Sequence, residues 1–138
     1  MKKIIFSTPL GWAGVGIYEK GVCRIVLPRG SKKAVQSELA KVKGAPSRPA
    51  VSRSADRDIK RTVKLIQQYF SGRRVSFDLP LDLSSFTPFQ RAVWKAAASI
   101  PYGETRSYAW IAKRIGRPNA ARAVGQAMGA NPVPILVP

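Results

Sequence analysis

Proline, glycine and capping residues are spaced over residues 87–128 so that the chain there can form three short helices and little else. Thr87-Pro88-Phe89-Gln90 puts a hydroxyl at the N-cap and a proline at the first helical position, where its missing N–H costs nothing. The glutamine at the third position can return a bond to the cap, completing a capping box. Phe89, Val93, Trp94, Ala97 and Ile100 then recur at helical spacing up to the turn Pro101-Tyr102-Gly103. Ser107 caps a second helix carrying Trp110, Ile111 and Ile115, Gly116 ends it, and Pro118 opens a third that runs to about Met128. Two short helices meeting across a three-residue turn predict a helix-turn-helix.

The earlier residues read as strands first. Lys3-Ile4-Ile5-Phe6, residues 13–18 and residues 22–27, separated by turn sequences, predict a small antiparallel meander. Residues 31–43 can form an amphipathic helix, and residues 44–49 are a basic, flexible break. Residues 56–70 place Ile59, Val63, Ile66 and Phe70 on one helical face, which should pack on the sheet. Residues 75–83 are expected to add one more strand and then connect two lobes. The resulting expectation is an α/β (α+β) chain with domains at 1–83 and 84–138, without internal repeats.

Composition narrows the chemistry. Twenty-four Lys and Arg against seven Asp and Glu give +17 over 138 residues, the footprint of a protein that works on a polyanion, or else only a solvated basic surface. There is no histidine and one cysteine, Cys23. Internal disulfides are thereby excluded, a metal site is short of ligands, and no Ser-His or Cys-His pair can exist within these residues. No apolar run reaches the about 20 residues of a membrane span, and the charged, proline-broken start is unlike a secretory signal. The expectation is a cytoplasmic monomer that needs no cofactor or metal and does not engage membranes.

The third predicted helix carries Asn119, Ala120, Ala121, Arg122, Ala123, Val124, Gly125, Gln126 and Ala127. A reader of the major groove needs several long polar side chains at base edges, which this helix lacks. A face of Ala and Gly lets the backbone approach a narrow groove, so the reading is minor-groove contact with double-stranded DNA and little sequence preference. Arg122, the long side chain among small ones, would enter the stack in place of a displaced base. The other reading is that the small face packs on another helix and Arg122 is a solvated charge.

Phe89-Gln90-x-x-Val93-Trp94, Ile100-Pro101-Tyr102-Gly103-Glu104-Thr105, Ser107-Tyr108, Ile111-Ala112, Ala120-Ala121-Arg122-Ala123-Val124-Gly125-Gln126-Ala127-Met128 and Asn131-Pro132-Val133-Pro134-Ile135-Leu136-Val137-Pro138 closely resemble the O6-alkylguanine-DNA alkyltransferases, or methylated-DNA–protein-cysteine methyltransferases. Thr8-Pro9-Leu10-Gly11-Trp12 and the strand from Gly21-Val22 resemble that family's N-terminal ribonuclease-H-like roll more weakly. The resemblance implies such a roll followed by a winged-helix-like helix-turn-helix domain. It also implies single-turnover transfer of an alkyl group from O6 of a flipped guanine to a cysteine. Tyr108 matches the tyrosine that rotates the target phosphate and donates to N3 of the flipped base. Arg122 matches the arginine that fills the vacated space, Asn131 the asparagine tying the recognition helix to the active-site loop, and Pro134 a pocket-wall proline. Asn131 also suits a helix-terminal cap. Phe89 and Ala109 lie where helix-start amides favour phosphate, Arg117 adds a charge in the turn, and Ala121, Ala123 and Gly125 form the close-approach face.

In the resembling family the motif runs on from Asn-Pro-x-x-Ile-x-x-Pro into Cys-His-Arg-Val and a final helix with a glutamate. The acceptor cysteine would follow Pro138, so residues 1–138 by themselves are expected to bind DNA without transferring. Cys23 lies in an apolar strand and reads as a small buried hydrophobe, not a substitute nucleophile. Two rival functions remain: an alkyltransferase-like lesion-binding protein with tryptophan in place of the cysteine, and a helix-turn-helix transcription regulator.

Overall fold

The computed structural model of the chain describes residues 2–18, 20–41 and 53–135. The chain divides into two compact units, Met1–Ser85 and Phe86–Pro138.

In the first unit β1 (Lys2–Thr8), β2 (Gly11–Tyr18) and β3 (Gly21–Arg29) form an antiparallel meander in the order β1-β2-β3, as the alternation of apolar runs and turns predicts. Ala13, Gly14, Val15, Gly16, Ile17 and Tyr18 are all buried, so the central strand is covered on both faces. Helix α1 (Lys32–Ala40), capped by the Ser31 hydroxyl, presses Val35 and Leu39 onto Gly14 and Val26, with Ile5 and Trp12 at the margin. Helix α2 (Arg53–Phe70) packs against β1 and β2, and Gln67 donates from its side chain to the Ser7 carbonyl. Of the apolar positions expected to hold it there, Ile59 and Ile66 are buried and Val63 and Phe70 half-buried. Thr62 is fully buried too: its hydroxyl donates to the Asp58 carbonyl one turn back, which satisfies the polar atom. The last residues of the helix expected over 31–43 and the basic break at 44–49 lie outside the described residues.

Residues 75–83 do not form the additional strand that the sequence suggests. They reach the sheet through a single parallel bridge, Val22 to Leu81, with the Val22 N–H on the Pro80 carbonyl and the Asp82 N–H on the Val22 carbonyl, both 2.8 Å. Pro80 has no N–H to extend the ladder, so pairing stops after one residue.

In the second unit α3 (Pro88–Ala98) starts on the predicted capping box, the Gln90 N–H on Thr87 Oγ1 and the Thr87 N–H on Gln90 Oε1. Helix α4 (Tyr108–Arg114) starts at Ser107, which accepts from the Trp110 N–H. It ends in a Schellman motif: Gly116, at φ +77°, donates to the Lys113 carbonyl, and Arg117 donates to the Ala112 carbonyl at 2.8 Å. Helix α5 (Ala121–Gly129) begins three residues later than the sequence suggests. The Schellman closure uses residues 115–117, and Pro118-Asn119 then form a β-turn in which the Ala120 N–H bonds the Arg117 carbonyl at 3.0 Å. Six residues, 115–120, therefore separate α4 from α5 instead of three. Among the described residues no helix is long and apolar enough to cross a membrane.

The close approach at Pro80 generates a stability test. Gly21 sits at φ +143°, and a Cβ there would lie 2.3 Å from the Pro80 oxygen and 2.9 Å from the Leu81 nitrogen, all backbone atoms that cannot swing aside. Gly21→Ala is expected to destabilise the first unit by about 3 kcal/mol, combining a disallowed φ with a backbone clash. Urea unfolding measures it; a loss below about 0.5 kcal/mol, typical of ordinary surface changes, would mean that residues 80–82 are not pressed onto β3.

Candidate nucleic-acid interface

Burial sorts the side chains of α5 into two faces. Val124 and Ala127 point inward, while Arg122, Ala123, Gln126 and Gly129 are exposed or nearly so, with Ala121 and Gly125 half-buried at the edge. The inward face is fixed by Trp94 of α3, wholly buried, whose Nε1 donates to the Ala127 carbonyl at 2.9 Å and whose ring meets Phe86 edge-on at 4.9 Å. The small-residue face on which the sequence places a nucleic-acid contact is thus turned to solvent.

Tyr108 opens α4 and is half exposed. Its ring lies against Gly125: a Cβ built on that glycine would stand 3.1 Å from Tyr108 Cε2. Gly125 therefore lets the tyrosine ring close against α5, and the fold brings Tyr108 and the α5 face together across sixteen residues of sequence.

The charges around this face are almost all positive. Glu104 is the one acidic residue from 86 onward, and it pairs with Arg106 at 3.2 Å. The Arg106 and Arg114 guanidinium groups lie 5.5 and 5.8 Å from the Trp110 ring centre, and that of Arg117 lies 5.9 Å from the Phe89 ring. Phe89 and Arg117, which the sequence marks separately, are thus neighbours. Arg122 makes no hydrogen bond or ion pair among the described residues. Ala109 is exposed at the start of α4.

Gln126 is a candidate site residue that the sequence alone does not single out, because Arg122 reads there as the lone long side chain of the helix. It lies one turn beyond Arg122, and with Thr87, Phe89, Gln90, Ala123 and Ala127 it lines a shallow cavity of about 240 Å³ between α3 and α5. The spacing i, i+4 from Arg122 is the signal that could have found it.

Asn131 and Pro134 lie in the segment that leaves α5. The Asn131 backbone N–H bonds the Met128 carbonyl at 3.3 Å, and its side-chain Oδ1 accepts from the Val133 N–H at 3.0 Å. One residue thereby contacts the helix end through its backbone and the following turn through its side chain. Pro132 and Val133 are buried, Pro134 is half-buried, and Ile135 holds φ +67°, a left-handed conformation that costs a β-branched residue strain.

Cys23 is buried in β3, and its thiol donates to the Gly16 carbonyl. Burial first, and then the negative charge of Asp82, push the thiol up to about 11, so at neutral pH it is neither accessible nor ionised. It is the small buried hydrophobe that its apolar strand predicts.

A sequence model of the DNA-binding domain of 6-O-methylguanine DNA methyltransferase matches residues 88–138. The methylated-DNA–protein-cysteine methyltransferase of Mycobacterium tuberculosis is 57% identical over 76 residues, which cover 55% of this chain and 46% of that protein. The constitutive enzyme of that name from Bacillus subtilis is 56% identical over 73 residues, covering 53% of this chain and 44% of that one. The chain thus spans about half the length of the curated relatives it matches. The crystal structure of Mycobacterium tuberculosis OGT in complex with DNA superposes with a TM-score of 0.69 at 35% identity, over 99% of this chain and 74% of that one.

The displaced thiol predicts a pH dependence. Below about pH 9 both folded and unfolded chains keep the Cys23 proton. Between about 9 and 11 only the folded chain keeps it, so the unfolded state is increasingly favoured as pH rises. Stability should therefore fall over that window more steeply for the unaltered chain than for Cys23→Ala, by at most about 1.4 kcal/mol per pH unit. Parallel urea titrations from pH 8 to 11 check it, and identical pH slopes for the two chains would show that the thiol titrates normally.

Proposed function

Because the chain belongs to the O6-methylguanine DNA methyltransferase family, we propose that it is the DNA-engaging portion of a single-turnover alkyltransferase that repairs O6-alkylguanine in duplex DNA. The observation that carries this reading is the solvent-facing side of α5. Small residues allow close approach, Gly125 seats Tyr108, and Arg122 stands without a partner among the described residues. A helix of this composition enters the minor groove and grips backbone instead of reading bases, which suits a protein that must find a lesion in any sequence.

Each residue then has a task. Arg122 fills the space left by the flipped nucleotide, and Tyr108 offers its phenol to the displaced phosphate and to N3 of the extruded base. The N–H groups at the start of α3, with Arg117 beside Phe89, hold phosphate. Asn131 couples the end of α5 to the turn carrying Pro134, which forms part of the pocket wall. In the transfer the bond from O6 to the alkyl carbon breaks as a bond from that carbon to cysteine sulfur forms. The cysteine reacts as its thiolate and the guanine leaves as an anion that the hydrogen bond from Tyr108 stabilises, after which the guanine takes up a proton that balances the one the thiol gave up. The acceptor would be a cysteine beyond residue 138. No metal or cofactor takes part.

Residues 1–138 alone should transfer nothing, because their one sulfur nucleophile is buried and protonated. Incubation with a duplex carrying radiolabelled O6-methylguanine tests this, and label found covalently on Cys23 or any other residue of the 138 would contradict it.

In a chain extended to include the cysteine segment, Arg122→Ala should slow repair of duplex substrate by roughly ten- to a thousandfold. Flipping costs a few kcal/mol, and each ~1.4 kcal/mol no longer offset is a decade in rate. Free O6-benzylguanine needs no flipping, so its reaction should be little changed, whereas Tyr108→Phe should impair both. Second-order rate constants on the two substrates decide. Equal losses for Arg122→Ala would assign that residue to folding or to the pocket.

A further inference from the structure

The positive charge of this chain is not concentrated where the helix-turn-helix is. Residues 1–85 hold seventeen Lys and Arg against six Asp and Glu, and residues 86–138 hold seven against one. About two thirds of the net charge thus belongs to the unit whose surface the proposed repair reaction does not use.

Helix α2 organises part of that excess. Arg57, Lys60, Arg61 and Lys64 are all exposed, and at about 100° per residue they fall within an arc of roughly 100°. Ile59, Thr62 and Ile66, all buried, occupy the opposite side. Of the nearby acids, Glu38 pairs with Arg29 and Arg24, Asp56 pairs with Lys2 and also feels the charge of Lys60 one turn on, and Asp58 on the same helix makes no ion pair with the four among the described residues. None of the four has an ion pair among the described residues. They also stand at i, i+3 and i+4 from one another, a like-charge arrangement that Asp56, four before Lys60, and Asp58, three before Arg61, offset only in part and that an external anion would relieve further.

We propose that this outward face of α2 is a second binding surface for the phosphate backbone of duplex DNA, separate from the helix-turn-helix. Successive charges three or four residues apart are about 4.5–6 Å apart along the axis, matching a row of anions better than a single carboxylate. A lipid surface fits poorly. Interfacial helices grip by inserting an apolar face, whereas the apolar face of α2 is committed to β1 and β2, and its outward arc carries no Leu, Phe or Trp. Phosphate binding of this kind gives affinity without sequence preference, and it would let one chain hold DNA while α5 is between lesions.

This inference rests on DNA as the ligand of the chain, and two measurements keep its failure distinct from failure of the α5 reading. In the first, duplex affinity of the 138-residue chain is followed by fluorescence anisotropy from about 50 to 200 mM salt. Replacing Arg57, Lys60, Arg61 and Lys64 together by Gln should lower the slope of log K against log salt by up to about 3.6, at ~0.9 for each phosphate no longer neutralised, and weaken binding at least tenfold at the low-salt end. A control with Lys20, Lys32, Lys33 and Lys41 changed to Gln removes the same charge from the same unit and should shift the slope by less than about 1. An unchanged slope in the α2 variant overturns the proposal, and so does an equal loss in the control, which would assign the effect to net charge. Loss of binding to phosphatidylserine vesicles with DNA affinity intact would overturn it in favour of a membrane. In the second measurement a photocrosslinking residue is placed at Gln68, one turn beyond Lys64 in line with the stripe, or at Gln126 on α5. Crosslinks to duplex from both positions are expected. DNA captured from 126 but not 68 leaves the α5 reading standing and defeats this one, and the reverse result does the opposite.

Discussion

Trp94 is the largest wholly buried side chain among the described residues, and its indole N–H cannot be left without an acceptor in an apolar interior. It donates to the carbonyl of Ala127, on the helix that presents the candidate interface. That bond, together with the burial of Val93 and Val124, sets the rotation of α5 about its own axis, and the rotation decides which residues meet solvent. Turned by a third, α5 would bury Arg122 and expose Val124. The helix has no side chain bonded at its N-cap, so its own ends do little to hold it, and the surrounding helices define it instead.

A second constraint is the scarcity of acid. With seven carboxylates for twenty-four cations, most positive groups have no partner to fold against. The few acids are placed where they organise structure: Glu38 gathers Arg24 and Arg29, Asp56 fixes Lys2 to α2, and Glu104 orients Arg106. Other arginines rest on aromatic faces, Arg114 on Trp110 and Arg117 on Phe89. Arg122 on α5 and the outward row on α2 are among the cations that have no ion pair among the described residues.

Local chemistry made much of this legible. The meander, the caps at Thr87 and Ser107 and the stop at Gly116 are properties of neighbouring residues, and the structure reproduces them because side-chain oxygens and glycine act over one turn. The failures have local causes as well. Pro80 ends a strand after one bridge, and Pro118, a helix opener by its sequence, occupies instead the turn that follows the Schellman closure. Thr62 in the core is not evident beforehand, because polarity alone does not say which side of a helix a residue takes, and Gln126 beside the small face shows only through its spacing from Arg122.

The sequence by itself determined the kinds of element, most of their limits, the sign of the surface and the motif that ties the chain to its family. Those follow from torsional preference, capping and charge, which act between near neighbours or simply add. Only the tertiary structure decided that Tyr108 closes against Gly125 and that the small face of α5 looks outward. Each depends on which surfaces of distant segments exclude water together, and no pattern within one segment encodes that.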